Sequence, residues 1–202
     1  MKTIYYMFFA TLFIISCNKE KVNKETDVVK AEKTQQLKAK VEPSKTTNDG
    51  TYLCKINGQD WSYTKGSGIV SRDKKTGKRT AIITFKKQLK KGSESIQLYY
   101  DGDSFELESA MIQLKLPKKG GGSVSGVYGF YTNSRHKYPE SDLSGTLNLS
   151  DPKTVLGNAS IKNFKIKYEK ELLENADDAV ITISDLNFSG IQYSDMDALF
   201  NK

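Results

Sequence analysis

The stretch TYLCKINGQDWSYT, Thr51–Thr64, decides the fold. Tyr52, Cys54 and Ile56 fall on one face of an extended run, so Cys54 reads as a small buried apolar residue and not as a reactive thiol. Asn57-Gly58 supplies a tight turn. A second extended run begins near Trp61, whose large ring suits it to plug one end of a core.

The same pattern continues to the C-terminus. RTAIITF follows the turn DKKTG, SIQLYYD precedes GDS, and FELESAMIQLKLP leads to the glycines at 120–122. VSGVYGFYT, SGTLNLS, ASIKNFKIKY and AVITISDLNF complete the series. Apolar and polar residues alternate within these runs, and turn residues separate them, which argues for antiparallel strands with one buried face. Helix is expected only in short pieces, at 169–175 and 194–200. Residues 51–202 therefore form one β domain, long enough to bury about two-thirds of its unfolded surface.

Three runs change phase midway. Phe105 and Leu107 are odd-numbered whereas Ile112, Leu114 and Leu116 are even; Ile161 gives way to Phe164, Ile166 and Tyr168; Ile181 and Ile183 give way to Leu186 and Phe188. A one-residue slip would turn the second half outward unless a bulge absorbs it, and bulges bend strands. The expected fold is all-β: a single antiparallel up-and-down barrel or a closed sandwich of about nine strands, after a disordered tether.

That tether occupies residues 17–50. Between Asn18 and Gly50 lysines and acids alternate with only scattered Val, Ala and Leu37, too little apolar surface to offset the entropy of ordering. Ahead of it, Lys2 precedes an apolar run from Ile4 to Ile15, shorter than the roughly 18–20 residues a bilayer span needs. A positive charge, a short apolar run and small Ser16 form the three regions of an export signal, residues 1–16.

At its end, Ile14-Ile15-Ser16-Cys17 resembles the lipobox of bacterial lipoproteins. The resemblance implies cleavage before Cys17 and its acylation, with palmitate-like chains that hold the protein to a membrane, since two or three chains make such attachment stable. TYLCKINGQDWSYT is likewise similar to the opening of many small secreted lipoproteins of Gram-negative bacteria, in which a hairpin and a tryptophan begin an all-β domain. The resemblance implies a cell-envelope location, at the outer membrane, and brings no catalytic residues with it. With Cys17 acylated, Cys54 has no intramolecular partner and no disulfide is expected.

Motifs of chemistry are sparse. His136, the sole histidine, sits in the loop NSRHKYPES with no second histidine to pair with a metal or assist a nucleophile. Lys75-Thr76-Gly77 and Ser134-Arg135-His136-Lys137 match fragments of the penicillin-binding acyl-enzymes, but in reversed order and without the Ser-Asp-Asn element. Asp101, Asp103 and Glu106 are the weak candidate for a cation site, although Asp-Gly between apolar runs is by itself a hairpin signal. No cofactor is called for.

Charge says more. The chain carries a formal +7, and Lys65–Lys91 is strongly basic whereas Glu169–Asp197 is strongly acidic. In an up-and-down order alternate connections share an end, which would gather Lys86, Lys87, Lys90, Lys91, Lys118, Lys119 and Lys153 into one basic rim. Such a rim attracts an anionic glycan, lipid phosphates or an acidic protein, less so as salt rises; an exported protein seldom meets nucleic acid. Trp61, Tyr99 and Tyr131 are the candidate aromatic contacts. The first functional reading is a non-catalytic binding module on the envelope. An inhibitor or immunity-type protein with a protein partner is the second, and an envelope enzyme using Asp101, Asp103 and Glu106 is the third.

Overall fold

The computed structural model describes residues 46–47 and 50–200; the stretch read as an export signal, Cys17 and most of the stretch read as a tether lie outside the described residues. Eleven strands are present among them: β1 (Thr46–Thr47), β2 (Gly50–Ile56), β3 (Gln59–Tyr63), β4 (Lys65–Arg72), β5 (Arg79–Gln88), β6 (Ser93–Asp101), β7 (Leu107–Pro117), β8 (Ser123–Tyr131), β9 (Asp142–Asn148), β10 (Thr154–Lys165) and β11 (Val180–Asp195). A five-residue helix, α1 (Met196–Phe200), follows β11, and three 3-10 turns interrupt the loops. Strand pairing reaches back to Thr46–Thr47, inside the stretch read as tether. Among the described residues no helix is long and apolar enough to cross a membrane.

Two sheets share β11. In the first, β3-β2-β11-β10-β9 are all antiparallel neighbours. In the second, β4 to β8 run as an antiparallel meander, and the end of β11 joins β4 in parallel, Tyr193 to Asp195 opposite Gly68 to Val70. Of the two expected closures the hydrogen bonding forms a sandwich and not a barrel. On the far side the sheets are linked by isolated bridges, Glu106 to Thr146 and Tyr128 to Ile166, and by single backbone bonds such as Leu147 N to the Phe105 carbonyl. The single departure from antiparallel pairing, β11 with β4, arises because β11 is long enough to leave one sheet and enter the other.

The bulges read from the phase changes are present. Between the pairs Ala159–Leu186 and Ile161–Ile183, β11 carries an extra residue, and Asp185 there has φ 57°. Between Ile161–Ile183 and Phe164–Ile181 the extra residue moves to β10, where Asn163 has φ 53°. In β7 the slip falls between Leu107 and Ser109. Each bulge returns the following apolar residues to the core, so Leu107 and Ile112, Ile161 and Phe164, Ile183 and Leu186 are all buried.

Side chains from facing strands fill the space between the sheets. Phe85 of β5 meets Tyr63 and Phe188 edge-on, at centroid distances of 5.0 and 5.2 Å. Phe130 tilts against Phe164 at 5.4 Å. The buried Tyr100 hydroxyl donates across the core to the Asn158 carbonyl at 2.9 Å, which satisfies a group that would otherwise be costly to bury. Asn57 and Gly58 both have positive φ, 48° and 81°, as a two-residue hairpin turn with that twist requires. The Asn57 amide also donates to the Val180 carbonyl at 3.0 Å and accepts from Thr182 N at 2.8 Å, pinning the hairpin to β11.

Three turns are organised by an aspartate that accepts from backbone N–H groups two and three residues on: Asp73 from Lys75 and Thr76, Asp101 from Asp103 and Ser104, Asp151 from Lys153 and Thr154. These bonds, led by the one from Thr76, Ser104 and Lys153 respectively, hold each carboxyl below its ordinary range. A carboxylate depressed in the folded state contributes stability above its unfolded pKa and loses it as pH falls through the folded value. Acid unfolding is therefore expected to set in below about pH 4, with the three aspartates titrating late in a carboxyl-detected NMR series. Titration of all three at or above the ordinary aspartate pKa would contradict this.

Candidate functional site

Antiparallel pairing of β5 to β8 brings the β5–β6 and β7–β8 turns to the same end of the meander. Lys86, Lys87, Lys90, Lys91, Lys118 and Lys119 thus share that end. Lys65 joins them, in register with Lys86. Lys153 does not. Its carbonyl accepts from Tyr193 N, and Tyr193 lies beside Gly68 in the middle of β4, because the β9–β10 turn belongs to the other sheet.

The end is also less uniformly basic than its lysines suggest. The acidic stretch after β10 folds back onto the β7–β8 turn: Lys119 N donates to the Leu172 carbonyl, Glu174 N to the Pro117 carbonyl, and the Lys119 ammonium to the Glu171 carbonyl. Glu171 and Glu174 therefore sit near Lys118 and Lys119. Lys86, Lys90 and Lys91 stay exposed on the β5–β6 side. β2 begins on that same side, Gly50 being packed against the Tyr63 carbonyl, and Thr64 is bonded to Lys86.

Trp61 is buried, 5% exposed, and its indole N–H donates to Glu94 Oε2 at 2.9 Å. Glu94 Oε1 accepts from Lys115 N, so this carboxylate ties the hairpin to β6 and β7. Trp61 is thus mainly a core plug, with only its edge reaching the surface. A cleft of about 480 Å³ opens beside it, where Lys87, Lys115, Asp60 and Asp178 place charges of both signs. Cys54 is fully buried and desolvation raises its thiol pKa, which keeps it protonated and inert.

The weak cation candidate is not assembled. Asp101 turns its carboxylate onto its own loop, Asp103 lies 3.5 Å from Arg72, and Glu106 is exposed with its backbone engaged by Thr146. Among the described residues no group of three or more His, Cys, Asp or Glu side chains converges as metal ligands would. His136 is exposed on its loop.

Tyr99 and Tyr131 do come together. Both register with Ser109, from either side, on the outer face of the meander, and between them they cover it. Tyr131 further lines a groove of about 510 Å³ between β8, the segment following β10 and the 132–141 loop. Its walls carry two more exposed tyrosines, Tyr138 and Tyr168, with Lys165 and Lys167. None of these four stands out in the sequence as a site residue. The alternation KIK at 165–167 is the one signal that both lysines share a face, and Tyr138 lies in a loop whose conspicuous residue is its histidine.

The fold thus defines an all-β sandwich with two open surfaces, a lysine-bearing end and a tyrosine-walled groove. Comparison with known proteins yields no matching family model, and neither a curated protein nor a solved structure matches the chain.

Proposed function

We propose that this chain is an exported, lipid-anchored envelope protein whose β domain is a non-catalytic binding module for anionic surfaces. The observation that carries the binding part is the convergence of Lys86, Lys90 and Lys91 with Lys65 on the side where β2 begins. A chain tethered through Cys17 would hold the domain within reach of lipid phosphates, where each lysine contributes about 1 kcal/mol near an anionic membrane. The acyl chains would supply the stable anchor, and the basic surface a second, salt-sensitive contact with the same membrane. The lipobox-like sequence at Cys17 supports the anchor, and the outer membrane is the proposed site.

One two-armed experiment tests both parts. In cells supplied with a labelled palmitate analogue, wild type is expected to carry label and sediment with membranes, and Cys17→Ser to lose the label. An unlabelled wild type, or one found entirely in the soluble fraction, removes the anchor. The second arm uses the unacylated Cys17→Ser chain on phosphatidylglycerol vesicles. Binding should weaken with salt and fall by about 100-fold when Lys86, Lys90 and Lys91 become Gln, three surface lysines at about 1 kcal/mol each. Undiminished binding by that triple variant, or none by its parent, removes the basic surface.

A further inference from the structure

We infer that the groove between β8 and the segment after β10 is a carbohydrate site for a sugar bearing a single acidic group, a uronic acid unit in a glycan. The inference goes beyond the lysine-bearing end and does not depend on it or on the anchor.

Three exposed tyrosines gather in this one groove: Tyr131 at 56%, Tyr138 at 47% and Tyr168 at 69%. Each comes from a different segment, the end of β8, the 132–141 loop and the stretch after β10. A cluster of large amphipathic rings left open to water is characteristic of a recognition surface. A pyranose suits such walls. Its C–H face packs on an aromatic ring while its hydroxyls stay hydrated or bond to the phenols. Phe130 and Phe164, in contact at 5.4 Å, close the bottom of the groove, which has the size of a small-molecule site.

Charge narrows the ligand class. Lys165 is neutralised by its ion pair with Glu140, which also lowers the Glu140 pKa. Lys167 makes no ion pair among the described residues. Its ammonium lies 6.0 Å from the Tyr131 ring centroid, close over Gly129, where a Cβ would come within 2.9 Å of it. One cation beside an aromatic wall is left for the ligand to answer. A single carboxylate matches it; a polyanion would find only this one cation unpaired, since Lys165 is held by Glu140. A purely apolar ligand would have to strip water from Lys167, Lys165 and the phenols without replacing those bonds.

The test is a titration of the full-length chain carrying Cys17→Ser with methyl galacturonide, which bears a single carboxylate, and with its neutral methyl galactoside counterpart, followed by NMR shifts. The acidic sugar is expected to bind saturably and about 10-fold more tightly than the neutral one, a margin of about 1.4 kcal/mol. Tyr131→Ala and Tyr168→Ala should each weaken both sugars by about 10-fold or more. Lys167→Gln should abolish the preference for the acid and leave the neutral sugar unchanged. All three side chains are exposed, so unchanged thermal midpoints separate lost binding from lost folding. No saturable shift with either sugar up to about 10 mM, or tyrosine variants that bind as the parent does, overturns the site. Equal affinity for the two sugars overturns the acidic specificity.

Discussion

Phe85→Ala is expected to cost about 3–5 kcal/mol, the range for removing a fully buried ring whose surroundings relax only in part. Phe85 is 0% exposed and stands where β5 of the meander faces β3 and β11 of the other sheet. Tyr63 and Phe188 both meet it edge-on, so truncation removes two ring contacts as well as the apolar transfer term. For a domain of this length each kcal/mol lowers Tm by about 2–4 °C. A fall of about 6–20 °C should therefore appear in a thermal scan, with a matching drop in the urea midpoint. Phe85→Leu keeps much of the volume and should lose less than about 1.5 kcal/mol. Equal losses for the two variants would show that the ring contacts, which both remove, outweigh the volume that Leu restores.

Phe85 is legible in the sequence as the last inward residue of RTAIITF. The strand that precedes it is not. β4 buries only Val70 among its side chains, and its glycines and serines have no apolar alternation. The structural reason is steric: a Cβ at Gly66 would lie 2.9 Å from Ile191 and one at Gly68 2.8 Å from Tyr193. β4 has little side chain because β11 lies over it. Its identity as a strand is written in residues near the other end of the domain, where a local pattern cannot show it. The same long-range pairing makes β11 serve both sheets, so the meander does not continue into a barrel.

The candidate sites divide along a similar line. Antiparallel neighbours in a meander fix which turns share an end, and that carries the grouping of Lys86, Lys90 and Lys91 with Lys118 and Lys119. Lys153 falls outside the group because its turn belongs to a second meander, β9 to β11, whose orientation against the first is set by the core. Nor can spacing reveal that the 169–178 acids fold onto the β7–β8 turn, since that contact rests on backbone bonds from Lys119 and Glu174. The tyrosine groove has walls from three separated segments. Each ring alone reads as an ordinary exposed residue, and long-range contacts draw the segments together: the Tyr128–Ile166 bridge, the Lys167-to-Val127 hydrogen bond and the bonds of Glu140 and Ser141 to Asn163.

Gly157→Val is expected to destabilise the domain by about 3 kcal/mol or more, at the upper end for overpacking a filled core. Gly157 sits between β9 and β11, paired with Leu147 on one side and Phe188 on the other. A Cβ there would lie 2.7 Å from Phe188 Cζ and 2.7 Å from the Thr146 carbonyl oxygen. The ring can shift whereas the carbonyl belongs to the β9–β10 ladder, so movement of Phe188 relieves one of the two contacts and the other remains as backbone strain. That ring is the edge-on partner of Phe85, and the two sites are consequently coupled. With Phe85 already truncated, Phe188 has room to move, and the double variant should lose less than the two single losses added together, by about 0.5–3 kcal/mol as contacting residues do. Urea unfolding of the four proteins of the cycle measures the difference. Strict additivity would place the strain of Gly157→Val in the β9–β10 backbone instead and remove Phe188 as the link between the sheets.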